Sequence, residues 1–335
     1  MARGAAGVAK GGGLLVAVAA LLLVFLLSVW VGSKQISFMS VWSVLWHDDG
    51  SSDAAIIHEL RIPRTFLAVL VGAALGLAGA LMQGVTRNPL ADPGLLGINV
   101  GAAAAVALAI AYAGVTSVIG YVWFAFLGAA VVSVIVYVIG SAGRAATPER
   151  LVLAGAAVSA ALGAVTYAVL LLDPEAFNQF RYWVVGSLAG RRSDTLVQVA
   201  PFILVGIVLA LLLARPLNAL ALGDDAGRAL GAHVGRTRAL GAIAVTLLCG
   251  AATAAAGPIG FVGLAVPHAA RMLVGPDQRW VLPYSMVLAP VLLLGADVIG
   301  RVVIAPAELQ AGVVTAFVGA PVFIALCRRR KLARL

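Results

Sequence analysis

Uncharged apolar runs, each long enough to cross a bilayer, follow one another from near the N-terminus to near the C-terminus of the chain. In hydrocarbon every backbone N–H and C=O must find its partner within the protein, which leaves helices or a closed barrel as the only spanning structures. A barrel would show ten-residue segments of alternating hydrophobicity. These runs are continuous and rich in Ala, Leu, Val and Gly, the composition of closely packed helices. The predicted class is therefore all-α and polytopic, and a soluble globular protein is excluded.

In order, the runs lie near 12–32, 65–85, 94–113, 118–140, 151–172, 195–214, 239–257, 257–274, 281–300 and 307–327, about ten spans. The eighth is short, begins GPIGFVG and contains Pro267 and His268. It is expected to be a broken helix whose freed backbone groups are satisfied by neighbouring protein. At the N-terminus, Arg3 and Lys10 precede an uncharged run from Gly11 to Ser33, which is too long for a signal-peptide core, lacks a clear cleavage pattern and reads as the first helix. Residues 1–335 read as one transmembrane domain. The longest outer loop, 34–64, is too short to bury a core of its own.

The formal net charge of +9 could suggest a nucleic-acid partner, but the cations are dispersed at the ends of spans, so no such partner is expected. They follow topology instead. With the N-terminus inside, the inner segments carry Arg87, Arg144, Arg150, Arg215, Arg228, Arg236, Arg238, Arg271 and Arg279, and ten spans bring the tail RRRKLAR back to the cytoplasm. Both termini are thus predicted to be cytoplasmic. Cys249 and Cys327 have no CxxC spacing and suggest no metal site.

Arg61 and Arg64 fall on the other side, where a topology signal does not call for them. If Pro63 opens the helix running to Thr86, both sit at the positive end of its dipole and need an anion. Two readings fit: side chains snorkelling to lipid phosphates, or a dock for an acidic surface on a soluble partner.

An ion-coupled transporter normally carries carboxylates or histidines near the bilayer midplane. Here Asp297 is the one carboxylate well inside a run, and Arg301, four residues on, is expected to pair with it as a structural unit. His268 is expected to be a hydrogen-bonded histidine at a helix break. No GxxxxGK[ST] phosphate loop is present, since none of Lys10, Lys34 and Lys331 follows a glycine, so an ATPase would have to be another subunit. The longest inner loop, 215–238, offers it a contact. A short helix is predicted to begin near Gly223, with Asp224 and Asp225 in its first turn and Ala226, Leu230 and Gly231 leaving room for close packing.

Four stretches in this order, LRIPRTFLAVLVGAALGLAGALMQGVTRNPLADPGLLGINVGA, ALGDDAGRALG, GPIGFVGLAVPHAAR and GADVIGRVVIAPAELQAGVVTAFVGAPVFI, strongly resemble FecCD-type permease subunits. These belong to type II ABC importers of iron siderophores, haem and cobalamin. The resemblance implies a bacterial inner-membrane permease that binds no cofactor itself, with ATP and Mg acting on the partner ATPase. Its implied partners are a second permease half, two ATPase subunits, a substrate-binding lipoprotein and membrane lipid. It also implies roles for residues: Arg61, Arg64 and Arg301 in docking the binding protein, Asn88, Pro89 and Leu90 with Thr147 at a cytoplasmic gate, and Gly223, Asp224, Asp225, Ala226, Arg228, Leu230 and Gly231 in coupling to the ATPase. FNQFRYWVVGSLAG, from Phe177 to Gly190, matches the family's short helix near the outer mouth. Thr147-Pro148-Glu149 departs from the small hydroxyl residues of the cobalamin permease, which argues against cobalamin; ferric siderophore is the favoured cargo, with haem and cobalamin behind it. An ion-coupled secondary transporter stands as the rival outside the family.

Overall fold

The computed structural model describes residues 2–47, 49–115, 117–142 and 148–328. They form α1 (Ala2–Trp30), α2 (Phe38–Trp46), α3 (Ser52–Ala55) and α4 (Ile62–Thr86), then α5 (Ile98–Ala113), α6 (Val118–Ser141), α7 (Pro148–Leu172) and α8 (Pro174–Val184). The second half adds α9 (Ser193–Leu212), α10 (Ala214–Ala221), α11 (Asp224–Ala229), α12 (Val234–Ala256), α13 (Val262–Val274), α14 (Gln278–Val303) and α15 (Ala311–Arg328). Among the described residues, seven helices are long and apolar enough to cross a membrane, and α5, α13 and the first part of α15 are shorter apolar helices. Together they account for the ten apolar runs of the sequence.

α4 is the centre of the bundle, packed against α9, α12, α13 and α14. Lipid gives little hydrophobic incentive for helices to associate, so close backbone approach has to supply the attraction. The small residues of α4 allow it. Gly72 and Gly76 lie against Ala289, Pro290 and Ser285 of α14, and a Cβ on Gly79 would collide with the backbone of Gly263 at the start of α13.

Pro63 does not open its helix. The chain is already helical from Ser52, where Ser51 Oγ caps the turn by accepting from Ala54 N at 3.1 Å, and it enters α4 through a π-helical turn at Ile56–Arg61. Proline has no N–H to donate one turn back, and a widened turn just before it accommodates that loss within a continuous helix. Arg61 and Arg64 therefore sit within a helix and not at its start.

The third run also differs from a simple span. It opens as a single 3₁₀ turn, Pro93–Leu96, breaks at Gly97 with φ of 73°, and only then becomes α5. Gly97 packs against Val132 of α6, a conformation and a contact that suit only glycine. The segment 34–64, too short for a core of its own, joins Ile36, Val41, Val44, Ala54 and Ile57 to Val29 of α1 in a small satellite cluster. Beside it Trp30, Phe38, Trp42 and Trp46 form an exposed aromatic ladder of the kind found at membrane interfaces.

Candidate functional site

At the end of the bundle where α1 stops and α4 begins, the final carbonyls of α1 have no intrahelical partners. Two arginines supply them. Arg301 Nη1 donates to Ser28 O at 2.7 Å and Val31 O at 3.2 Å, and its Nη2 to Ser28 Oγ at 3.0 Å. Arg61 donates to Val29 O at 3.1 Å, to Trp30 O, and to Lys34 O at 2.6 Å. Cations at a helix C-terminus also meet the negative end of its dipole. Gly32 makes room, since a Cβ there would overlap the Arg61 guanidinium.

Asp297 completes this cluster. Arg301 donates Nε to its Oδ2 at 3.0 Å and also Nη2, forming the expected pair four residues apart. Arg64 grips the same carboxylate through Nε and Nη2, at 2.8 to 3.2 Å, and reaches Glu308 with Nη1 at 2.7 Å. Arg61 and Arg301 are buried at 5% and 2% exposure, and neither reaches outward as a snorkelling side chain would. A cavity of about 380 Å³ opens beside the cluster, its wall including Lys34, Arg61, Arg64, Arg191, Arg301 and Glu308.

A second aspartate lies between two arginines at the opposite end of α4. Arg87, the left-handed residue that stops α4 with φ of 51°, places Nη2 3.2 Å from Asp224 Oδ1, and Arg238 of α12 donates to the same oxygen at 3.0 Å. Asp224 opens α11, which begins after Gly223 at φ of 103° as the glycine predicts. Asp225, Ala226, Arg228, Leu230 and Gly231 are exposed around it, Leu230 at 66%.

Arg87 leads directly into Asn88, Pro89 and Leu90. They form a compact turn in which Asn88 Oδ1 accepts from Leu90 N at 2.9 Å and Asn88 O accepts from Ala91 N at 3.1 Å. The fourth residue predicted for this site, Thr147, lies outside the described residues. α10 is tied to the start of α14, where Asn218 donates to Asp277 at 2.6 Å and accepts from Gln278 N at 2.8 Å. Asp277 sits just before that helix, and hydrogen bonds from Arg279 and Asn218 hold its carboxyl down at about 2.

Between the two ends, Pro267 lies inside α13, which stays helical throughout, and the break expected in this span falls before it, at 257–261. Proline leaves the carbonyl four residues earlier, Gly263 O, without its helical donor, and Gln83 of α4 donates to it at 3.4 Å and to Leu264 O at 3.2 Å. Arg271 donates to the Oε1 of the same Gln83. The freed group is thus met by neighbouring protein, and the helix continues through the proline. His268 differs from expectation: its Nδ1 is buried without a hydrogen-bond partner. α8 covers most of the stretch from Phe177 and leads by a tight loop to Arg191 in the cavity wall.

The FecCD transport family model matches residues 20–329. The chain belongs to the FecCD transport family. Among its FecCD relatives, the ferric enterobactin transport system permease protein FepD of Escherichia coli is 48% identical over 91% of both chains. The probable siderophore transport system permease protein YfiZ of Bacillus subtilis is 41% identical over 90% of this chain and 91% of its own, and the hemin transport system permease protein HmuU of Yersinia pestis 38% identical over 91% of both. A solved metal-chelate type ABC transporter in an inward-facing conformation superposes with a TM-score of 0.85 at 27% identity, covering 95% of this chain and 99% of that one. The FecCD permease described here is a multi-pass, all-helical membrane protein.

Sequence reasoning missed three contacts in this FecCD chain: Arg64 with Asp297, the capping of α1 by Arg61 and Arg301, and Arg87 with Asp224. The first had a signal. A chain nearly empty of intramembrane charge holds one carboxylate well inside a run, and buried cations must go to it.

Proposed function

We propose that this permease is the membrane-spanning half of an ATP-driven importer that carries a ferric siderophore across the bacterial inner membrane. The observation that carries the reading is the 48% identity, over nine-tenths of both chains, to a ferric enterobactin permease; the hemin relative stands lower at 38%. Two copies or paralogues of the permease enclose the pathway, two ATPase subunits bind the cytoplasmic end, and a binding lipoprotein delivers cargo at the other. Both termini are cytoplasmic, which sets the Asp224 end inside and the Asp297 end outside.

Arg61, Arg64 and Arg301 form the core of the outer docking surface. Four guanidinium groups, these three and Arg191, face two carboxylates, Asp297 and Glu308, so the cavity keeps a cationic excess that attracts an acidic partner. Because Arg61 donates to carbonyls and Arg301 to carbonyls, the Ser28 hydroxyl and Asp297, they shape and charge the surface while Arg64 stands nearer its rim.

At the inner end, the exposed face of Gly223–Gly231 enters a groove of the ATPase, and Asn88, Pro89 and Leu90 close the pathway. Asp224 joins these two functions. Through Arg87 it ties the coupling helix to the residue immediately before the gate, and through Arg238 to α12. Displacement of α11 by nucleotide binding is thereby passed to the gate as a shift between two discrete packings. The permease makes and breaks no covalent bond.

The test is uptake into proteoliposomes of a ferric catecholate siderophore presented by its binding protein. The reading requires uptake that needs both the ATPase and ATP and that persists when the proton gradient is dissipated. Uptake without the ATPase that collapses with the gradient would establish an ion-coupled transporter instead.

A further inference from the structure

At the Asp224 end, a cavity of about 460 Å³ lies between the end of α9, α10 and the first turns of α12. Leu212, Leu213 and Leu240 give it an apolar side, Arg215, His233 and Arg236 a polar one, and Leu230 and Gly231 share the wall. Arg215 and Arg236 are exposed, and among the described residues neither makes an ion pair or a hydrogen bond. No carboxylate stands in the wall. Asp224 and Asp225 of the neighbouring α11 are already engaged, the first by Arg87 and Arg238, the second by Arg228. α12 opens without a side-chain cap, so the positive end of its dipole adds to the two guanidinia. Like charges gathered around one cavity call for an anion.

The stripe of α12 that carries Arg236 runs on past a second cavity. Arg236, Ile243 and Leu247 share one face of the helix, because residues seven and eleven apart return to nearly the same direction. Ile243 and Leu247, with Ala239, form one side of an apolar groove of about 350 Å³, and Phe126, Val134 and Tyr137 of α6 form the other. Ser133 in this groove pairs with Thr246 at 2.6 Å, and Thr246 donates to Ala242 O at 2.9 Å. Those two hydroxyls are thus satisfied within the protein and offer water little to hold. Phe126 lies beside Gly250 as Ser133 does beside Thr246, so α6 runs antiparallel to α12 and Tyr137 falls at the Arg236 end of the groove. Leu212, Val134 and Ile243 are exposed here, at 69%, 61% and 51%. Apolar side chains on spanning helices belong against hydrocarbon, and not against a soluble subunit.

We propose that this face of α12 binds one anionic phospholipid, its phosphate between Arg215 and Arg236 and one acyl chain in the groove between α6 and α12. A charged head joined to a long apolar chain matches both cavities at once. A free anion has no use for the groove, and an acidic segment of the ATPase has none for an apolar slot among spanning helices. The dimensions agree. Arg236 lies in the first turn of α12, at the membrane boundary, and the groove follows from Ala239 to Leu247, about 12 Å along the axis. Tyr137 then sits at the level of the headgroups, where aromatic rings with a polar tip collect. The inference goes beyond the importer reading and uses it only to set the leaflet: the cytoplasmic one, whose anionic lipids attract basic residues.

The measurement is native mass spectrometry of the full-length permease in detergent, alone and with its ATPase bound, titrated with dioleoyl phosphatidylglycerol or dioleoyl phosphatidylcholine. The anionic lipid binds at least about fivefold more tightly. Arg215→Gln and Arg236→Gln each weaken it about fivefold and together about 30-fold, while phosphatidylcholine binding is unchanged. Both side chains are exposed and unpartnered, so the thermal midpoint of these variants without lipid stays at the wild-type value. Ala239→Phe, which fills the groove, weakens the dioleoyl lipid and spares dihexanoyl phosphatidylglycerol, whose chains are too short to use it. Equal binding of the two dioleoyl lipids, or wild-type affinity in the double arginine variant, overturns the proposal. So does an Ala239→Phe variant that binds the dioleoyl lipid as wild type does. Displacement of the lipid by an equal concentration of inorganic phosphate would assign the arginines to a free anion, and displacement by the ATPase would assign them to that subunit; either overturns the proposal too. None of these outcomes touches ATP-driven uptake, on which the importer reading is tested separately.

Discussion

At one end of this bundle Asp297 lies between Arg64 and Arg301; at the other, Asp224 lies between Arg87 and Arg238. The pairing chemistry is the same and the setting is not. Asp297 is fully buried, takes four hydrogen bonds of 2.8 to 3.2 Å and one more from Arg301, and one of its partners, Arg301, also caps a helix end. Asp224 keeps 28% of its side chain exposed, and Arg87 keeps 34%. Without Asp297, Arg301 would be buried with no carboxylate beside it and Arg64 would keep Glu308 alone, which makes the first cluster an obligatory clamp. In the second, Arg238 is buried and stays on Asp224, whereas the Arg87–Asp224 contact, about a third exposed, costs little to open and on the proposed reading serves as a link that forms and releases.

The sharpest way to break this contrast is Asp297→Asn, which leaves Arg64 and Arg301 facing a neutral amide. A loss of about 3–5 kcal/mol is expected, seen as collapse of the monodisperse fraction and of the thermal midpoint in detergent. Gln83→Leu, at neither end, calibrates the scale: it strands the Gly263 carbonyl and Arg271 and should cost about 1–3 kcal/mol by the same thermal assay. Arg87→Gln, which opens only the partly exposed contact to Asp224, should change stability by no more than ~1 kcal/mol, read from the same midpoint, while uptake falls severely. Salt separates the ends more gently. Raising ionic strength toward about 1 M, where the Debye length shrinks to ~3 Å, should increase labelling of a cysteine placed at Leu90 and leave one placed at Ser33, in the cavity wall, unchanged.

The smallest effect is an acid one. Asp277 titrates near 2 in the folded protein against 3.8 ordinarily, a depressed value. Its contribution is therefore complete above about 3.8 and is lost as pH falls from there toward 2. Asp277→Asn should lower the midpoint slightly at neutral pH and narrow its difference from wild type across that window.

The spans were legible because their signal is local: a run of apolar residues must become a helix in lipid, and the ten runs did. The short helix after Gly223 was legible for a similar reason, since glycine followed by two aspartates is itself a helix start. The π-turn before Pro63 was not, because a proline reads identically whether it opens a helix or interrupts one. Nor was the Arg64–Asp297 pair, which joins residues 233 apart in the chain. Hydropathy fixes how many segments cross but not which face of α4 meets α14, and that face decides which cation reaches which carboxylate. That the Nε of buried Arg191 finds no hydrogen-bond partner among the described residues is still further from the sequence, because it depends on what is absent around a side chain.

On the proposed reading, Asp224 is the releasable link between ATP use and the gate. The most direct measurement is ATP hydrolysis and uptake, taken together in proteoliposomes, for Asp224→Arg, Arg87→Asp and the double exchange. Each single variant should hydrolyse ATP at near the wild-type rate while importing at least about tenfold less, and the exchange should recover a substantial part of the import. Single variants that import normally, or an exchange that recovers nothing while the protein stays folded and hydrolytically active, would contradict it.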